Sequence, residues 1–236
     1  MIQNFKIISK KELAPKIYEI VFESEKAFQF KAWQFITFLL EKIWWRAYSI
    51  LKQEDKKIIL IIKKWELEDW WKWWSKYICE RNIWDSLKWV WPAWHFLLRE
   101  NNENKLFIWT WTWFVPLYNM ICWSLEKKLN CNLFLTFWVR TRKDIFYLEE
   151  LKKLKKENKN FDFAIYISRE KDLLDFELEH DDIEIHSWYT TNYLTPYNIK
   201  KYNEIYICWA PNMIKSTQTK LDKIWFNKEK IYFEKY

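Results

Sequence analysis

The chain has 236 residues, of which 50% are hydrophobic and 30% are charged; this balance excludes a disordered chain and a membrane bundle. Its apolar runs are too short to span a bilayer, no signal peptide is visible, and its four cysteines lack metal-ligand spacing, so we expect a cytoplasmic protein with no metal site and no integral membrane segment. The formal net charge of +7 comes from evenly spread lysines without a nucleic-acid-binding motif, so we expect no nucleic acid partner.

Residues 1–98 predict a small antiparallel β-barrel, because β-branched and aromatic runs of strand length recur at close spacing. The predicted strands are 2–9, 16–23, 34–40, 47–51 and 57–63. A short helix is predicted over 75–81, with Ser75 as its N-cap.

Residues 99–105 are polar and mark the predicted domain boundary, so the two domains are placed at 1–98 and 104–236. Strands and helices alternate beyond it, which predicts an α/β domain with a parallel sheet and a ligand site at the carboxyl ends of the strands. The predicted strands are 106–108, 132–137, 161–168, 183–186, 204–208 and 231–234, and the predicted helices are 114–128, 144–156, 191–199 and 212–224.

Glycine is absent from the chain, whereas tryptophan occurs 20 times. At its usual frequency of about 7%, glycine would occur about 17 times, and tight turns and phosphate-binding loops depend on its conformational freedom. We infer that most or all Trp letters stand for Gly, through an opal codon that the source organism reads as Gly. Lysine makes up 33 of the 39 basic residues, as expected of an AT-rich gene. A chain that is truly rich in Trp is the alternative.

The strongest single motif is Phe-Ile-Trp-Thr-Trp-Thr-Trp-Phe-Val-Pro at 107–116. With Gly restored, it becomes a strand, Gly-Thr-Gly-Thr-Gly, and then a helix. Such a turn forms a phosphate cradle, because glycine lets the backbone approach an anion and the helix N-terminus offers free N–H groups. A tight structural turn is the alternative.

Further motifs follow the same order as in a known family. They are Ala-Trp-Gln-Phe at 32–35, Arg-Ala-Tyr-Ser at 46–49, Trp-Trp-Ser at 73–75, Trp-Asp at 84–85, Trp-Pro-Ala-Trp-His-Phe at 91–96, Trp-Val-Arg at 138–140, Cys-Trp-Ala-Pro-Asn-Met at 208–213 and Glu-Lys-Tyr at 234–236. With the motif at 107–116, they make the chain resemble the ferredoxin–NADP reductase family over almost its full length. Many of these matches require Gly in place of Trp.

The resemblance implies that the barrel binds FAD, although FMN stays open. Arg46 would hold the flavin pyrophosphate, Tyr48 would lie on the isoalloxazine face, and Ser49 would hydrogen-bond N5 as a catalytic residue. The segment Trp73-Trp74-Ser75 would contact the pyrophosphate. Ion-pair, packing and helix-capping roles are the alternatives at these positions.

The resemblance also implies where the nicotinamide nucleotide binds. Its loop comprises Trp109, Thr110, Trp111, Thr112 and Trp113. Three further catalytic residues are implied: Cys208 beside the hydride path, Glu234 as a proton relay or charge partner, and Tyr236 as the terminal aromatic that covers the flavin. A buried inert thiol, a solvated carboxylate and a frayed tail are the alternatives.

The choice between NADP(H) and NAD(H) depends on the segment Ser168-Arg169, which resembles the family's 2′-phosphate site. Arg140 and Arg142 would add positive charge, so NADP(H) is favoured and NAD(H) stays open.

The resemblance implies an oxidoreductase that moves hydride between NADP(H) and FAD and single electrons to or from ferredoxin or flavodoxin. The positive net charge favours such an acidic carrier. One alternative is an NAD(P)H-dependent reductase subunit that serves an oxygenase, free flavin or another electron-transfer complex. The remote alternative is a non-enzymatic, Trp-rich binding protein.

Overall fold

The computed structural model describes residues 2–27, 34–40, 44–65, 73–93, 96–110, 114–209 and 211–235. The chain forms two compact units, Met1–Leu97 with Tyr118–Met120, and Leu98–Leu117 with Ile121–Tyr236. An antiparallel barrel in the first unit and a parallel sheet with helices in the second confirm the predicted fold class. None of the described helices is both long enough and apolar enough to cross a membrane.

Within the described residues, the first unit is a closed barrel with the strand order β1-β2-β5-β4-β3-β6. Its strands are β1 (Ile2–Ala14), β2 (Ile17–Ser24), β3 (Phe35–Leu40), β4 (Trp44–Glu54), β5 (Lys57–Lys63) and β6 (Ser86–Ala93). Helix α1 (Trp73–Glu80) lies between β5 and β6. It begins two residues before the predicted helix, so Ser75 is its third residue and the prediction of Ser75 as N-cap is wrong.

The barrel core follows from alternation along the strands. Ile20, Phe22 and Ser24 of β2 are buried at every second position, as expected for a strand with one face inside a barrel. The ring of Phe5 stacks on that of Trp89 at a centroid distance of 4.2 Å. Hydrophobic burial of these aromatic side chains holds the barrel together.

The second unit is a parallel sheet with the order β10-β9-β8-β7-β11-β12 in its described part. Its strands are β7 (Lys105–Thr110), β8 (Leu133–Val139), β9 (Phe161–Ile167), β10 (Glu184–His186), β11 (Glu204–Trp209) and β12 (Ile231–Lys235). Its helices are α2 (Phe114–Glu126), α3 (Leu148–Glu157), α4 (Leu174–Glu179), α5 (Pro196–Ile199) and α6 (Pro211–Lys223). Residues 105–109 of β7 and 204–208 of β11 are buried without interruption, which is typical of central parallel strands covered on both faces.

In the second unit, two predicted helices differ substantially from the structure. The helix predicted over 191–199 is a 3₁₀ turn at Thr190–Tyr193 followed by α5, because Pro196 has no N–H and so begins a helix rather than continuing one. The helix predicted over 144–156 begins at Leu148, since Tyr147 has a left-handed φ of 60°. Strand β6 and helix α4 were not predicted.

Among the residues that the structure describes, two tryptophans adopt a left-handed backbone. Trp225 follows α6 with φ 59°, its N–H donates to the carbonyl oxygen of Asp222 at 3.1 Å, and the N–H of Phe226 donates to that of Leu221 at 3.1 Å. These two bonds form a Schellman motif, whose left-handed position is usually Gly. Trp84, with φ 81°, is the third residue of a turn closed by the N–H of Asp85 and the carbonyl oxygen of Asn82. A positive φ at that position also favours Gly.

A buried ion pair lies at the amino ends of β7 and β11. Lys105 and Glu204 are both 0% exposed, and Nζ lies 3.6 Å from Oε2. The ammonium group also donates to the carbonyl and side-chain oxygens of Asn101 at 3.0 and 2.7 Å and to the carbonyl oxygen of Glu103 at 2.8 Å. The amide of Asn101 donates to Glu204 Oε1 at 2.8 Å. These bonds offset the desolvation of the two charges and attach residues 101–103 to the sheet.

Candidate functional site

The candidate site lies at the carboxyl edge of the parallel sheet, where the strand order reverses between β7 and β11. Such a switch point is the general ligand site of open α/β sheets. Trp109 of β7 pairs with Cys208 of β11, and Cys208 pairs with Glu234 of β12. Three of the residues singled out in the sequence therefore lie at one level on three adjacent strands.

The indole of Trp109 fills the space at the start of α2. It is 0% exposed and stacks on Phe114, the first residue of α2, at 4.1 Å and on Phe137 at 4.0 Å. If residue 109 is truly Trp, its side chain occupies the place predicted for a phosphate cradle. Thr110 ends β7, but its side chain, like Trp111, Thr112 and Trp113, lies outside the described part. The predictions on those residues therefore stay predictions.

Cys208 is fully buried, and burial, with a smaller contribution from Glu234, raises the pKa of its thiol well above the ordinary value. The thiol is therefore neutral near pH 7 and offers an S–H group rather than a nucleophilic thiolate. Glu234 is half-buried beside it. The predicted role of Tyr236 concerns a residue outside the described part.

Two neighbouring loops at this edge bring together the predicted phosphate ligands. The N–H of Ser168 donates to the carbonyl oxygen of Val139 at 3.2 Å, and the N–H of Arg169 donates to that of Arg140 at 2.9 Å. Burial first, and then the nearby charge of Arg169, lower the pKa of Arg140. The buried hydroxyl of Ser168 has no hydrogen-bond partner among the described residues. Two guanidinium groups and a hydroxyl without a partner among the described residues suit a phosphate group.

The sequence assigned Arg142 as an additional source of positive charge, and the structure corrects this. Its Nε donates to Glu170 Oε2 at 2.7 Å, so a carboxylate already compensates its charge. Glu170 was not identified in the sequence, because it lies 28 residues from Arg142 and only the pairing of β8 with β9 brings the two loops together. The only hint of this contact in the sequence was that an acidic residue directly follows the Ser-Arg pair.

In the barrel, the predicted flavin ligands lie on β4 and α1. Tyr48 and Ser49 are half-buried and pair with Ile36 and Phe35 of β3. The Oγ of Ser75 accepts a hydrogen bond from the N–H of Trp65 at 3.1 Å.

Three further residues of the barrel, Arg46, Trp73 and Trp74, were predicted to contact the flavin pyrophosphate. Trp74 is 7% exposed and packs in the barrel core, edge-on to Tyr77. The side chains of Arg46 and Trp73 lie outside what the structure describes, so their roles stay predictions.

Comparisons with known proteins identify the fold. No family model matches the chain. It is 26% identical over 164 residues to one of the subunits of the Na(+)-translocating NADH-quinone reductase of Marinomonas sp. (strain MWYL1), and the match covers 69% of this chain but only 40% of that relative.

Among the solved structures that match essentially the whole chain are two reductases. A cytochrome P450 reductase of Amycolatopsis has a TM-score of 0.81 at 15% identity, with 100% of this chain and 69% of that one covered. A ferredoxin NADP+ reductase of Neisseria gonorrhoeae with bound FAD and NADP has a TM-score of 0.80 at 17% identity, with 99% and 98% covered. The likeness shows a shared fold, so the fold that the resemblance implied is confirmed.

Proposed function

We propose that the chain is a flavin-dependent oxidoreductase that transfers hydride between NADP(H) and FAD and exchanges single electrons with an acidic carrier, ferredoxin or flavodoxin. The observation that carries this proposal lies at the carboxyl edge of the sheet, where a backbone hydrogen bond joins Arg169 to Arg140. The buried hydroxyl of Ser168, next to Arg169, has no hydrogen-bond partner among the described residues. The fold shared with reductases, one of which holds FAD and NADP, supports it.

In this proposal the second unit binds the nucleotide. Arg140, Ser168 and Arg169 hold its 2′-phosphate, and the loop 109–113, with Gly at its Trp positions, receives the pyrophosphate at the N-terminus of α2. The neutral thiol of Cys208 places the nicotinamide without reacting with it, because burial keeps the thiol protonated. The four cysteines are free, which supports a reducing, cytoplasmic location.

The barrel would hold the flavin through Arg46, Tyr48, Ser49 and Ser75. The phenol ring of Tyr48 offers a flat apolar surface, and the hydroxyl of Ser49 offers a hydrogen bond to a ring nitrogen. The chemistry that a bound flavin supplies is the conversion of a two-electron hydride transfer into two one-electron transfers.

We further propose that the Trp letters stand for Gly. The left-handed backbone of Trp84 and Trp225 supports this, because their indoles are 63% and 93% exposed and gain little burial to offset the unfavourable φ. The test is peptide mass spectrometry of the native protein. Glycine masses at positions 84, 109 and 225 are expected, and tryptophan masses there would overturn the proposal.

The function is tested by expressing the chain with Gly at all 20 Trp positions and recording its visible spectrum before and after anaerobic NADPH. A yellow protein whose flavin bands bleach is expected. Bleaching by NADH but not NADPH would overturn the NADP(H) preference alone. A folded, colourless protein would overturn the reductase proposal and favour a non-enzymatic binding protein.

A second candidate is an NAD(P)H-dependent reductase subunit of a larger electron-transfer complex. Likeness to a component of an NADH-quinone reductase and to a cytochrome P450 reductase favours it. Turnover rates separate the two candidates: the first requires rapid reduction of an acidic ferredoxin, whereas the second requires a different acceptor with ferredoxin inactive.

A further inference from the structure

Glu170 connects the two loops that carry the proposed phosphate ligands. Its Oε1 accepts the backbone N–H of Arg142 at 2.9 Å, and its Oε2 accepts Nε of the same residue at 2.7 Å. One carboxylate therefore fixes both the backbone and the side chain of the neighbouring loop.

The other end of that loop is fixed as well. Asp144 Oδ2 accepts the N–H and the hydroxyl of Thr141 at 2.9 and 3.0 Å, which holds the turn between Arg140 and Asp144. The backbone bonds from Ser168 to Val139 and from Arg169 to Arg140 join the two loops directly above the strands. With Glu170, these contacts leave the loops little freedom to separate.

The contribution of this pair to folding stability is small, because the side chains of Arg142 and Glu170 are 43% and 23% exposed. Its charge is also unfavourable for an anion site, since a carboxylate close to a phosphate repels it. Electrostatic attraction therefore does not explain why a carboxylate lies beside a phosphate site. The two hydrogen bonds that Glu170 accepts from Arg142 offer a geometric explanation.

We propose that Glu170 is a positioning residue that preorganises Arg140, Ser168 and Arg169 for the 2′-phosphate of NADP(H). It neutralises Arg142 and keeps that guanidinium out of the site while it holds the two loops at one spacing. This inference rests on the proposed function and adds a residue that positions the groups on which its nucleotide specificity depends.

The test uses the full-length chain with Gly at the Trp positions and measures the binding of 2′-AMP and 5′-AMP by calorimetry. Glu170→Gln is expected to weaken 2′-AMP binding about tenfold, as the loss of one charge-assisted hydrogen bond would, and to leave 5′-AMP binding nearly unchanged. Glu170→Asp, which keeps the charge and both acceptor oxygens, should recover part of the loss. Glu150→Gln removes an equal charge from an exposed position of α3 and should leave both affinities unchanged.

The direction in which Glu170→Gln changes 2′-AMP affinity distinguishes positioning from simple charge repulsion. Pure electrostatics requires Glu170→Gln to bind 2′-AMP more tightly, and equal or tighter binding would overturn the positioning role. A starting protein that binds 2′-AMP no better than 5′-AMP would overturn it too. In either case bleaching of the flavin by NADPH or NADH, measured separately, shows whether the reductase proposal stands.

Discussion

At the scale of single residues, two tyrosines in the second unit form a buried hydroxyl pair. The hydroxyls of Tyr193 and Tyr202 lie 2.6 Å apart, and the rings are 8% and 9% exposed. Burial raises the pKa of Tyr193 to about 12 and that of Tyr202 further. Phe134 stacks on Tyr193 at 4.9 Å, which keeps water from one face of the ring. Both phenols are therefore neutral in the folded protein near neutral pH.

We predict that the pair makes stability fall at alkaline pH. Because the pKa values are raised on folding, the stability is fully present below the unfolded value of about 10 and is lost as the pH rises from there towards the folded values. Tyr202→Phe should reduce the slope of unfolding free energy against pH, by about 0.7 kcal/mol per pH unit near pH 10 and by up to about 1.4 kcal/mol per pH unit at higher pH.

Urea unfolding between about pH 9 and 11 measures the slope. Tyr197→Phe, at an exposed tyrosine of the same unit, controls for the loss of a hydroxyl group. An unchanged slope in Tyr202→Phe would contradict the prediction.

Sequence patterns were sufficient to place several side chains at the edge of the sheet, but not to say which contact each other. Cys208 and Ser168 are the last residues of the strands predicted over 204–208 and 161–168, so their level in the sheet was predictable. The bond between Arg142 and Glu170 was not, because it depends on which strands are neighbours. The position of the Trp109 indole was not predictable either, since it depends on its contacts with Phe114 and Phe137.

At the scale of elements, the carboxyl ends of α2 and α6 share the same hydrogen-bond pattern and a left-handed residue. After α2, the N–H of Lys128 donates to Leu125 and that of Leu129 to Ser124, the same Schellman pattern as at Trp225. Lys128 has φ 52° and Trp225 has φ 59°. A bulky residue in this conformation is strained by roughly 1 kcal/mol relative to Gly.

In the chain as written, we predict that Trp225→Gly stabilises the protein by about 1 kcal/mol, because Gly adopts the left-handed conformation without strain. The same change inside α2, Trp123→Gly, should destabilise it by about 0.5 kcal/mol through lost helix propensity. Chemical denaturation of the two variants side by side provides the measurement. Destabilisation by Trp225→Gly would show that the exposed indole stabilises the helix end.

Elements with strong periodicity were predictable, and those determined by local chemistry were not. The exposed Leu174 and Leu178 give α4 no apolar face that packs, so nothing in its pattern predicted a helix. Pro196 divides the segment predicted as one helix, although its position at the first turn, after the N-cap Thr195, is a recognised start signal.

At the scale of the whole molecule, the net charge of +7 produces an electrostatic field that acts beyond any single contact. A positively charged protein attracts acidic partners over distances comparable to the Debye length, about 10 Å at 0.1 M salt. The charge therefore bears on the rate of association with a carrier more than on the strength of the final complex.

We predict that kcat/KM for an acidic ferredoxin falls about tenfold as salt is raised from about 0.05 to 0.5 M, since screening removes the long-range attraction. With menadione, an uncharged acceptor, the value should change little. Steady-state rates with NADPH measure both. A ferredoxin rate that does not depend on salt would indicate that the charge has another partner.

The buried ammonium group of Lys105 has a practical consequence for dividing this protein into parts. A gene fragment that starts at residue 104, the predicted domain start, removes the two oxygens of Asn101 and the carbonyl oxygen of Glu103 that accept its protons. It also removes Arg99, whose N–H donates to the hydroxyl of Tyr206 at 3.0 Å. A nucleotide-binding fragment intended for separate production should therefore begin no later than Leu98, where the second unit begins.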